Sequence, residues 1–287
     1  MLEIKNLSKS YGGKKALDNI SLKIPSGQMI GLFGENGAGK TTLIKSVFGF
    51  HRYSGEITLD GAPVTYKNIA RLSFATSEHS FFPALTPKAH REFYEMHFPA
   101  FRKKRFQLLM DFFELEQNKP LRSFSVGQQN QFETILALSQ GADYILMDEP
   151  FSGNDIFNRE DFYKVLLGIL EPSETVLLST HLLSEVEHFI DRAILIHRGT
   201  LAADKELQQL EEEGKTLLSF VKETYHYKQN RIEKILEESS GNENKAQKLR
   251  KNGDKTLTIQ TKKRITKAPQ KSLKQSFKTA FCGAFVH

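Results

Sequence analysis

Apolar and polar positions along the first 213 residues follow two spacings, one typical of strands and one typical of helices. Residues 27–33 form a largely apolar segment, which predicts a buried strand, and residues 55–61 alternate between two glycines as a half-exposed strand does. A glycine-rich turn and a helical stretch follow the first of these segments. Strands are predicted over residues 2–7, 20–24, 27–33 and 55–61, and a helix over residues 40 to about 50.

The segment from residue 77 to residue 139 has a different composition. It holds ten of the 22 phenylalanines, from Phe81 to Phe132, and residues 90–97 and 105–115 have helical spacing. Beyond it, strands are predicted over residues 143–148, 175–180 and 193–197, and helices over residues 158–170 and 182–190. This order predicts an α/β fold, in which a mostly parallel sheet is covered on both faces and a helical insertion occupies about residues 78–140.

The composition is that of a folded protein with one large domain or two small ones. Of the 287 residues, 39% are hydrophobic and 26% are charged, which excludes a disordered chain. The single cysteine, Cys282, excludes an internal disulfide and indicates a reducing compartment. No stretch approaches the roughly 20 apolar residues that span a bilayer, and the first residues lack the pattern of a signal peptide. We therefore expect a soluble intracellular protein.

Charge divides the chain into two parts. Residues 1–214 carry 23 Lys and Arg against 28 Asp and Glu, a net charge of −5, whereas residues 215–287 carry 17 against 6, a net charge of +11. The predicted division is a domain over residues 1–213 and a basic C-terminal appendage over residues 214–287, which is partly disordered or a small accessory domain. Within the appendage, a helix is predicted over residues 231–238 and a strand over residues 256–260.

A glycine-rich segment after the strand at residues 27–33 fits the phosphate-loop pattern G-x-x-x-x-G-K-[ST]. Its glycines let backbone N–H groups turn inward around an anion, and the N-terminus of the following helix adds its positive dipole end. Lys40 can then reach the β- and γ-phosphates, and the Thr41 hydroxyl can bind Mg²⁺. The predicted nucleotide-binding residues here are Gly34, Glu35, Asn36, Gly37, Ala38, Gly39, Lys40, Thr41 and Thr42.

Two carboxylates end the predicted strand at residues 143–148. The apolar run from Tyr144 leads to Asp148 and Glu149, the arrangement that completes a phosphate-loop site. Asp148 is expected to hold Mg²⁺, and Glu149 is a candidate general base for the attacking water. An apolar strand that ends in acids is common by itself, but together with the phosphate loop it predicts hydrolysis of the bound nucleotide.

These motifs and one further element resemble the ATP-binding cassette (ABC) ATPases over residues 1 to about 213. The element is Phe124 to Gln128, which matches the family signature L-S-G-G-Q. The resemblance implies a phosphate-loop ABC cassette with an antiparallel β subdomain at its N-terminus. It also implies a dimer that encloses two ATP molecules, in which Ser125, Gly127 and Gln128 of one subunit contact the γ-phosphate held by the other. The alternative for Ser125 is a simple helix cap.

The resemblance assigns further positions. Tyr11 stands where an aromatic ring stacks on adenine, and His181 stands where a histidine contacts the γ-phosphate and joins Lys40 and Glu149 in catalysis. Residues 152–155 match the loop that couples the two sites of the dimer.

Three positions depart from the family pattern. Val126 replaces the first signature glycine, Asn154 replaces a usual leucine, and Ser77-Glu78 stands where a glutamine normally follows the strand before the insertion. Glu78, with Ser77 as its substitute, is therefore expected to take over contacts with the metal and the water. Because Lys40, Asp148, Glu149 and His181 are all present, we expect an active Mg²⁺-dependent ATPase.

The resemblance is closest to cassettes that drive membrane transporters. It implies a separately encoded permease that docks on the insertion and the loop at residues 77–85, with export favoured over import. The aromatic residues that line this groove, or that fill the core of the insertion instead, are Phe81, Phe82, Phe93, Tyr94, Phe98 and Phe101. The implied location is cytoplasmic, peripheral on the inner face of the cell membrane, within a homodimer or a heterodimer.

The alternative function is that of a soluble ABC ATPase that acts on nucleic acid or on the ribosome through the basic C-terminal residues. Only 84 residues separate Lys40 from Ser125, too few for the long coiled coil of DNA-acting relatives, and ribosome-acting relatives carry two cassettes. Residues 214–287 contain no nucleic-acid-binding motif, so nucleic acid is not expected as a partner. Contact with anionic lipid and a solvated extension both remain open for these residues.

Overall fold

A computed structural model describes residues 1–150 and 156–225 of the chain, with side chains for all of these except residues 156–161. The predicted coupling loop at residues 152–155 lies outside the described residues, as do the helix and the strand predicted within the C-terminal appendage. Among the described residues, no helix is long and apolar enough to cross a membrane.

The strands belong to two sheets. They run over Leu2–Tyr11 (β1), Lys14–Ile24 (β2), Met29–Phe33 (β3), Ser54–Leu59 (β4), Ala62–Pro63 (β5), Leu72–Thr76 (β6), Tyr144–Asp148 (β7), Thr175–Ser179 (β8), Arg192–His197 (β9) and Thr200–Glu206 (β10). The first sheet is antiparallel, in the order β2-β1-β4-β5. The second has the order β10-β9-β3-β8-β7-β6, and all its neighbours are parallel except β10 and β9. The predicted fold class is therefore confirmed.

The helices follow the strands as the alternating pattern predicts. They run over Lys40–Val47 (α1), Pro87–His97 (α2), Lys103–Phe112 (α3), Val126–Ser139 (α4), Ile156–Ile169 (α5), Leu183–Val186 (α6), Leu207–Glu212 (α7) and Leu217–Thr224 (α8). α2 begins where Thr86 accepts a hydrogen bond from the backbone N–H of Ala89, with Pro87 in the first turn. α2, α3 and α4 form the insertion between β6 and β7.

The parallel sheet has a hydrophobic core on each face. Residues of β3 alternate between the two, because successive side chains of a strand point to opposite faces. Ile30 and Leu32 belong to the core shared with α1 and the antiparallel sheet. Met29 and Phe33 belong to the core shared with the insertion. The central strand is therefore buried on both sides, as its apolar sequence predicts.

Phenylalanine rings fill the interior of the insertion. Phe106 and Phe132 are fully buried, with ring centroids 6.2 Å apart, and Phe81 packs edge-on against Phe132 at 5.7 Å. Phe82 and Phe93 are instead exposed on its surface. The aromatic cluster of the sequence thus divides between core and surface.

The order of the strands brings the two predicted motifs together. β3 and β7 lie on either side of β8 and run parallel to it. Their carboxyl ends therefore lie at the same edge of the sheet, where open α/β sheets bind ligands. The loop after β3 and the carboxylates after β7 meet at this edge.

Several elements differ from the sequence-based prediction: β1 and β2 are longer than predicted, and β5, β10, α4 and α7 were not predicted. The helix predicted over residues 182–190 is shorter, because α6 ends at Val186. α8 lies beyond residue 213, and its residues Leu217 and Val221 belong to the core shared with the insertion. The division of the chain after residue 213 stays a prediction.

Candidate functional site

The loop between β3 and α1 has a backbone that requires glycine. Gly37 and Gly39 have φ values of +79° and +115°, which residues with side chains rarely adopt. A Cβ atom on Gly34 would lie 2.5 Å from the Ile196 carbonyl oxygen. Among the described residues, no side chain caps the N-terminus of α1. The backbone N–H groups at the start of this helix are thus left for an anion.

Lys40 brings a buried positive charge into this loop. Its side chain is 7% exposed, and its ammonium donates to the carbonyl oxygens of Gly34 at 2.8 Å and Glu35 at 3.3 Å. It forms an ion pair with no carboxylate in the part of the chain that the structure describes. A buried cation of this kind is stabilised by a bound anion.

Thr41 and Asp148 form a pair of oxygen ligands where α1 meets β7. The Thr41 hydroxyl donates to Oδ2 of Asp148 at 2.6 Å. Oδ1 of Asp148 is buried and has no hydrogen-bond partner among the described residues. A buried carboxylate oxygen without a partner beside a hydroxyl fits a hard divalent cation such as Mg²⁺. These two residues are the ones that would hold it.

Glu149 stands directly after β7 in a left-handed conformation. Its φ is +50°, and its backbone N–H donates to the carbonyl oxygen of Ser179 at 2.9 Å. The His181 Nδ1 lies 3.1 and 3.0 Å from the two carboxylate oxygens of Glu149. Such a conformation costs about 1–3 kcal/mol and is concentrated at functional sites. The carboxylate is thereby held by a histidine at the accessible edge of the sheet.

Tyr11 ends β1 with an exposed ring. The Lys9 ammonium lies 4.7 Å from the ring centroid, and the His51 ring meets it edge-on at 5.5 Å. A nucleobase can stack on such a ring if it shares or replaces the contact with Lys9.

The signature segment forms the start of α4. The Ser125 hydroxyl accepts from the backbone N–H of Gln128 at 3.2 Å, and the Gln128 side chain accepts from the backbone N–H of Ser125 at 3.0 Å. This is a complete capping box, so the capping role considered for Ser125 is present. Gly127 lies in the first turn, and Val126 is 69% exposed beside it.

Ser77 and Glu78 point to different surroundings after β6. Both carboxylate oxygens of Glu78 accept from the Lys45 ammonium, at 2.6 and 2.7 Å, and the Glu78 side chain is exposed. Ser77 instead lines a narrow crevice together with Glu149 and Pro150. Of the two, Ser77 is the residue that shares a surface with Glu149.

Two groups near the site escaped the sequence-based prediction. Glu133 on α4 is buried and contacts the loop after β6; an acidic residue within the apolar run of this helix is the signal that could have found it. Tyr225 follows α8, and its hydroxyl lies 3.2 Å from the carbonyl oxygen of Ile196. Burial and the charge of Glu35 raise the pKa of Tyr225 to about 12. No sequence motif marks this tyrosine.

Comparison with known proteins identifies the family to which the chain is similar. A sequence profile described as "ABC transporter" matches residues 17–152. An uncharacterized ABC transporter ATP-binding protein of Bacillus subtilis, YdbJ, is 31% identical over 216 residues, which cover 72% of this chain and 70% of that protein. The Nod factor export ATP-binding protein I of Sinorhizobium fredii is 31% identical over 210 residues, which cover 69% of this chain and 60% of that protein.

A solved structure shares the fold. A dimeric ATP-binding cassette in a post-hydrolysis state, bound to ADP and phosphate, superposes with a TM-score of 0.64 at 23% identity, covering 72% of this chain and 99% of that chain. On these grounds the chain belongs to the ABC transporter family of ATP-binding proteins, and it is an ATPase.

Proposed function

We propose that this protein is the ATP-hydrolysing subunit of an ABC transporter and powers export through a separately encoded permease. The observation that carries the proposal is the cluster at the carboxyl ends of β3 and β7. It combines a buried lysine that pairs with no carboxylate of the described residues, a hydroxyl–carboxylate pair and a Glu–His pair. These are the groups that phosphoryl transfer to water requires.

Each group has a role in this reaction. The N–H groups at the start of α1 and the Lys40 ammonium bind the β- and γ-phosphates. Thr41 and Asp148 hold Mg²⁺, which when bound withdraws electron density from the phosphate oxygens. Glu149 accepts a proton from the attacking water, and His181 fixes the orientation of its carboxylate. The products are ADP and inorganic phosphate.

A second subunit completes the site in this proposal. Ser125, Gly127 and Gln128 of the partner contact the γ-phosphate from the side opposite to the loop. The surface position of Ser125 and Gln128 at the start of α4 supports this arrangement, as does the dimeric state of the similar cassette. Tyr11 stacks on the adenine.

The permease docks on the surface of the insertion. Large apolar side chains are exposed there: Phe82, Leu85, Phe93 and Met96. An exposed apolar patch on a protein of this size is typical of a protein–protein contact. The name of the relative from Sinorhizobium fredii, a factor-export protein, supports export. The proposed location is peripheral, on the inner face of the cell membrane.

Substitution of the general base tests the hydrolytic role. Glu149→Gln removes the proton acceptor and keeps the shape of the side chain. We expect turnover of Mg·ATP to fall by about 10²-fold or more, with ATP binding retained and a dimer trapped by ATP on size-exclusion chromatography. Turnover at the wild-type rate would contradict the assignment.

Co-purification tests the partner. The tagged protein is isolated from detergent-solubilised membranes of its native cells, beside the variant Phe82→Ala/Phe93→Ala. We expect a multi-spanning protein with the wild type and much less of it with the variant, while both hydrolyse ATP. Ribosomes or nucleic acid without a membrane protein would support the alternative function, and residues 215–287, with a net charge of +11, would then be the first to delete.

A further inference from the structure

Glu133 is a buried carboxylate in the middle of α4, the helix that starts at the signature segment. Its side chain is 1% exposed. Both carboxylate oxygens accept from the backbone N–H of Ser80, at 3.0 Å. Burial raises the pKa of the Glu133 carboxyl, whereas the hydrogen bonds from Ser80 and the nearby His79 act against this shift. A buried charge of this kind costs stability unless hydrogen bonds offset the cost, and for Glu133 these come from the backbone and side chain of Ser80 and from the backbone of Thr76.

A second contact joins the same loop to the same face of α4. Asn130 lies three residues before Glu133, so the two side chains are neighbours on the helix surface. The Asn130 Oδ1 lies 2.7 Å from Nε2 of His79. His79 has a φ of +58°, a conformation that residues with side chains adopt only when their surroundings hold them. Two successive loop residues are therefore held by side chains of α4.

The loop that α4 holds, residues 77–80, places Ser77 in a crevice that is also lined by Glu149, the proposed general base. Its first end is fixed by β6, where Thr76 pairs with Asp148 of β7. Its other end is fixed at Ser80. The crevice beside the loop is lined by Thr76, Ser77, Asn130, Glu133 and Glu149 among others. Because only residues 77–79 lie between the two fixed points, a movement of Ser80 displaces Ser77 relative to the Glu149 carboxylate.

From this arrangement we infer that Glu133 is a positioning residue for ATP hydrolysis. Its contact with the Ser80 N–H sets the place of Ser77 beside Glu149 and transmits the orientation of α4 to that place. The inference rests on the proposed function, since it requires Glu149 to act as the base. The loop at residues 77–80 lacks the glutamine of the family pattern. Through the backbone of Ser80, Glu133 connects this loop to α4, the helix that starts at the signature segment.

Steady-state kinetics of the full-length chain test the inference with three variants. Glu133→Leu removes the acceptor, Glu133→Gln keeps one acceptor oxygen, and Glu92→Leu is the matched control at an exposed position of α2. We expect Glu133→Leu to lower kcat by about 10- to 100-fold with KM and the ATP Kd within about twofold of the wild-type values. Glu133→Gln should recover kcat to within about threefold of the wild type, and the control should stay within about twofold.

A double-mutant cycle tests the route through Ser77. If Glu133 acts by placing Ser77, the double variant Ser77→Ala/Glu133→Leu is no slower than the slower single variant. If the fold-changes in kcat of Ser77→Ala and Glu133→Leu instead multiply in the double variant, the inference is overturned. Equal kcat values for Glu133→Leu and Glu133→Gln would also overturn it. A decrease in kcat that only follows the loss of folded protein, measured by circular dichroism, would overturn it too.

The proposed function and this inference fail in different ways. A wild-type rate in Glu133→Leu overturns the positioning role and leaves the function intact. A wild-type rate in Glu149→Gln overturns the function.

Discussion

Two buried cations, one in the structural core and one at the candidate site, differ in the groups that accept their hydrogen bonds. Arg105, 6% exposed, donates to both carboxylate oxygens of Glu174 at 2.9 and 2.8 Å. Lys40, 7% exposed, donates to the backbone carbonyls of Gly34 and Glu35 and has no carboxylate partner among the described residues. The charge of Arg105 is neutralised within the fold, whereas no described carboxylate neutralises that of Lys40, as expected of a cation that binds an anionic ligand. Burial alone therefore does not distinguish a structural ion from a binding one; the partner does.

Removal of the structural cation has the largest expected effect on stability. Arg105→Met leaves the buried Glu174 carboxylate with Arg102 as its remaining ion-pair partner. We expect the free energy of unfolding to fall by about 3 kcal/mol, the lower end of the range for a broken buried ion pair. Denaturant unfolding measures it, and kcat of the folded protein should stay within about twofold. The double variant Arg105→Met/Glu174→Leu should recover most of the stability; no recovery would contradict the pairing.

Substitution of Lys40 should lower the affinity for ATP and leave stability unchanged, the reverse of what we expect for Arg105. Lys40→Met takes away a buried charge that no described carboxylate neutralises, so we expect no loss of stability. Affinity for ATP should fall by about 100-fold, because charge-assisted hydrogen bonds to the phosphates are lost. Titration with a fluorescent ATP analogue and a thermal melt measure the two quantities. A large loss of stability with unchanged affinity would reverse the assignment of the two cations.

Substitution of Val126 tests, with a smaller expected effect, whether the surface at the start of α4 meets a bound nucleotide. Val126 exposes an apolar side chain where the resemblance places the partner's γ-phosphate. Val126→Gly should increase kcat by about threefold, since it lets the backbone approach the phosphate. Val126→Ala serves as the control for removal of the branched side chain alone. An unchanged kcat in both variants would indicate that this surface does not meet the nucleotide.

Glu133 is intermediate between the two buried cations, Arg105 and Lys40. It is buried as they are, and its carboxylate accepts a hydrogen bond from the backbone N–H of Ser80. Its folded pKa is raised above 4.5 by burial. The wild type therefore loses stability as the pH rises through the folded pKa, and glutamine, which does not titrate, avoids this loss. We expect the melting temperature of Glu133→Gln, relative to the wild type, to increase as the pH rises from 4.5 to the folded pKa of Glu133 and to be constant outside that window. A difference that is independent of pH would mean that the carboxyl does not titrate in this range.

The local sequence was enough to predict several features of the site. The phosphate loop is defined by residues 34–42, because its glycines, lysine and hydroxyl act within one turn of chain. The apolar strand that ends in Asp148 and Glu149 also carries its own signal. The structure brings these two segments together at one edge of the sheet, as the α/β pattern predicts.

Contacts between distant segments could not be predicted in this way. The pairing of Glu78 with Lys45, 33 residues apart, left Ser77 as the residue beside Glu149. Glu133 meets Ser80 across 53 residues. Such pairs depend on how β6 and α4 pack, and each side chain has many partners of suitable chemistry in the sequence.

The sequence by itself predicted the alternation of strands and helices in the α/β core and the family, and it marks the residues that we propose bind phosphate and metal. These properties follow from periodicity and from motifs whose atoms are close along the chain. Only the tertiary structure decided which buried charges are neutralised, which aromatic rings are exposed, and which residue after β6 lines a crevice together with Glu149. Those properties depend on burial and on distances between segments, which are set when the two cores form around the sheet.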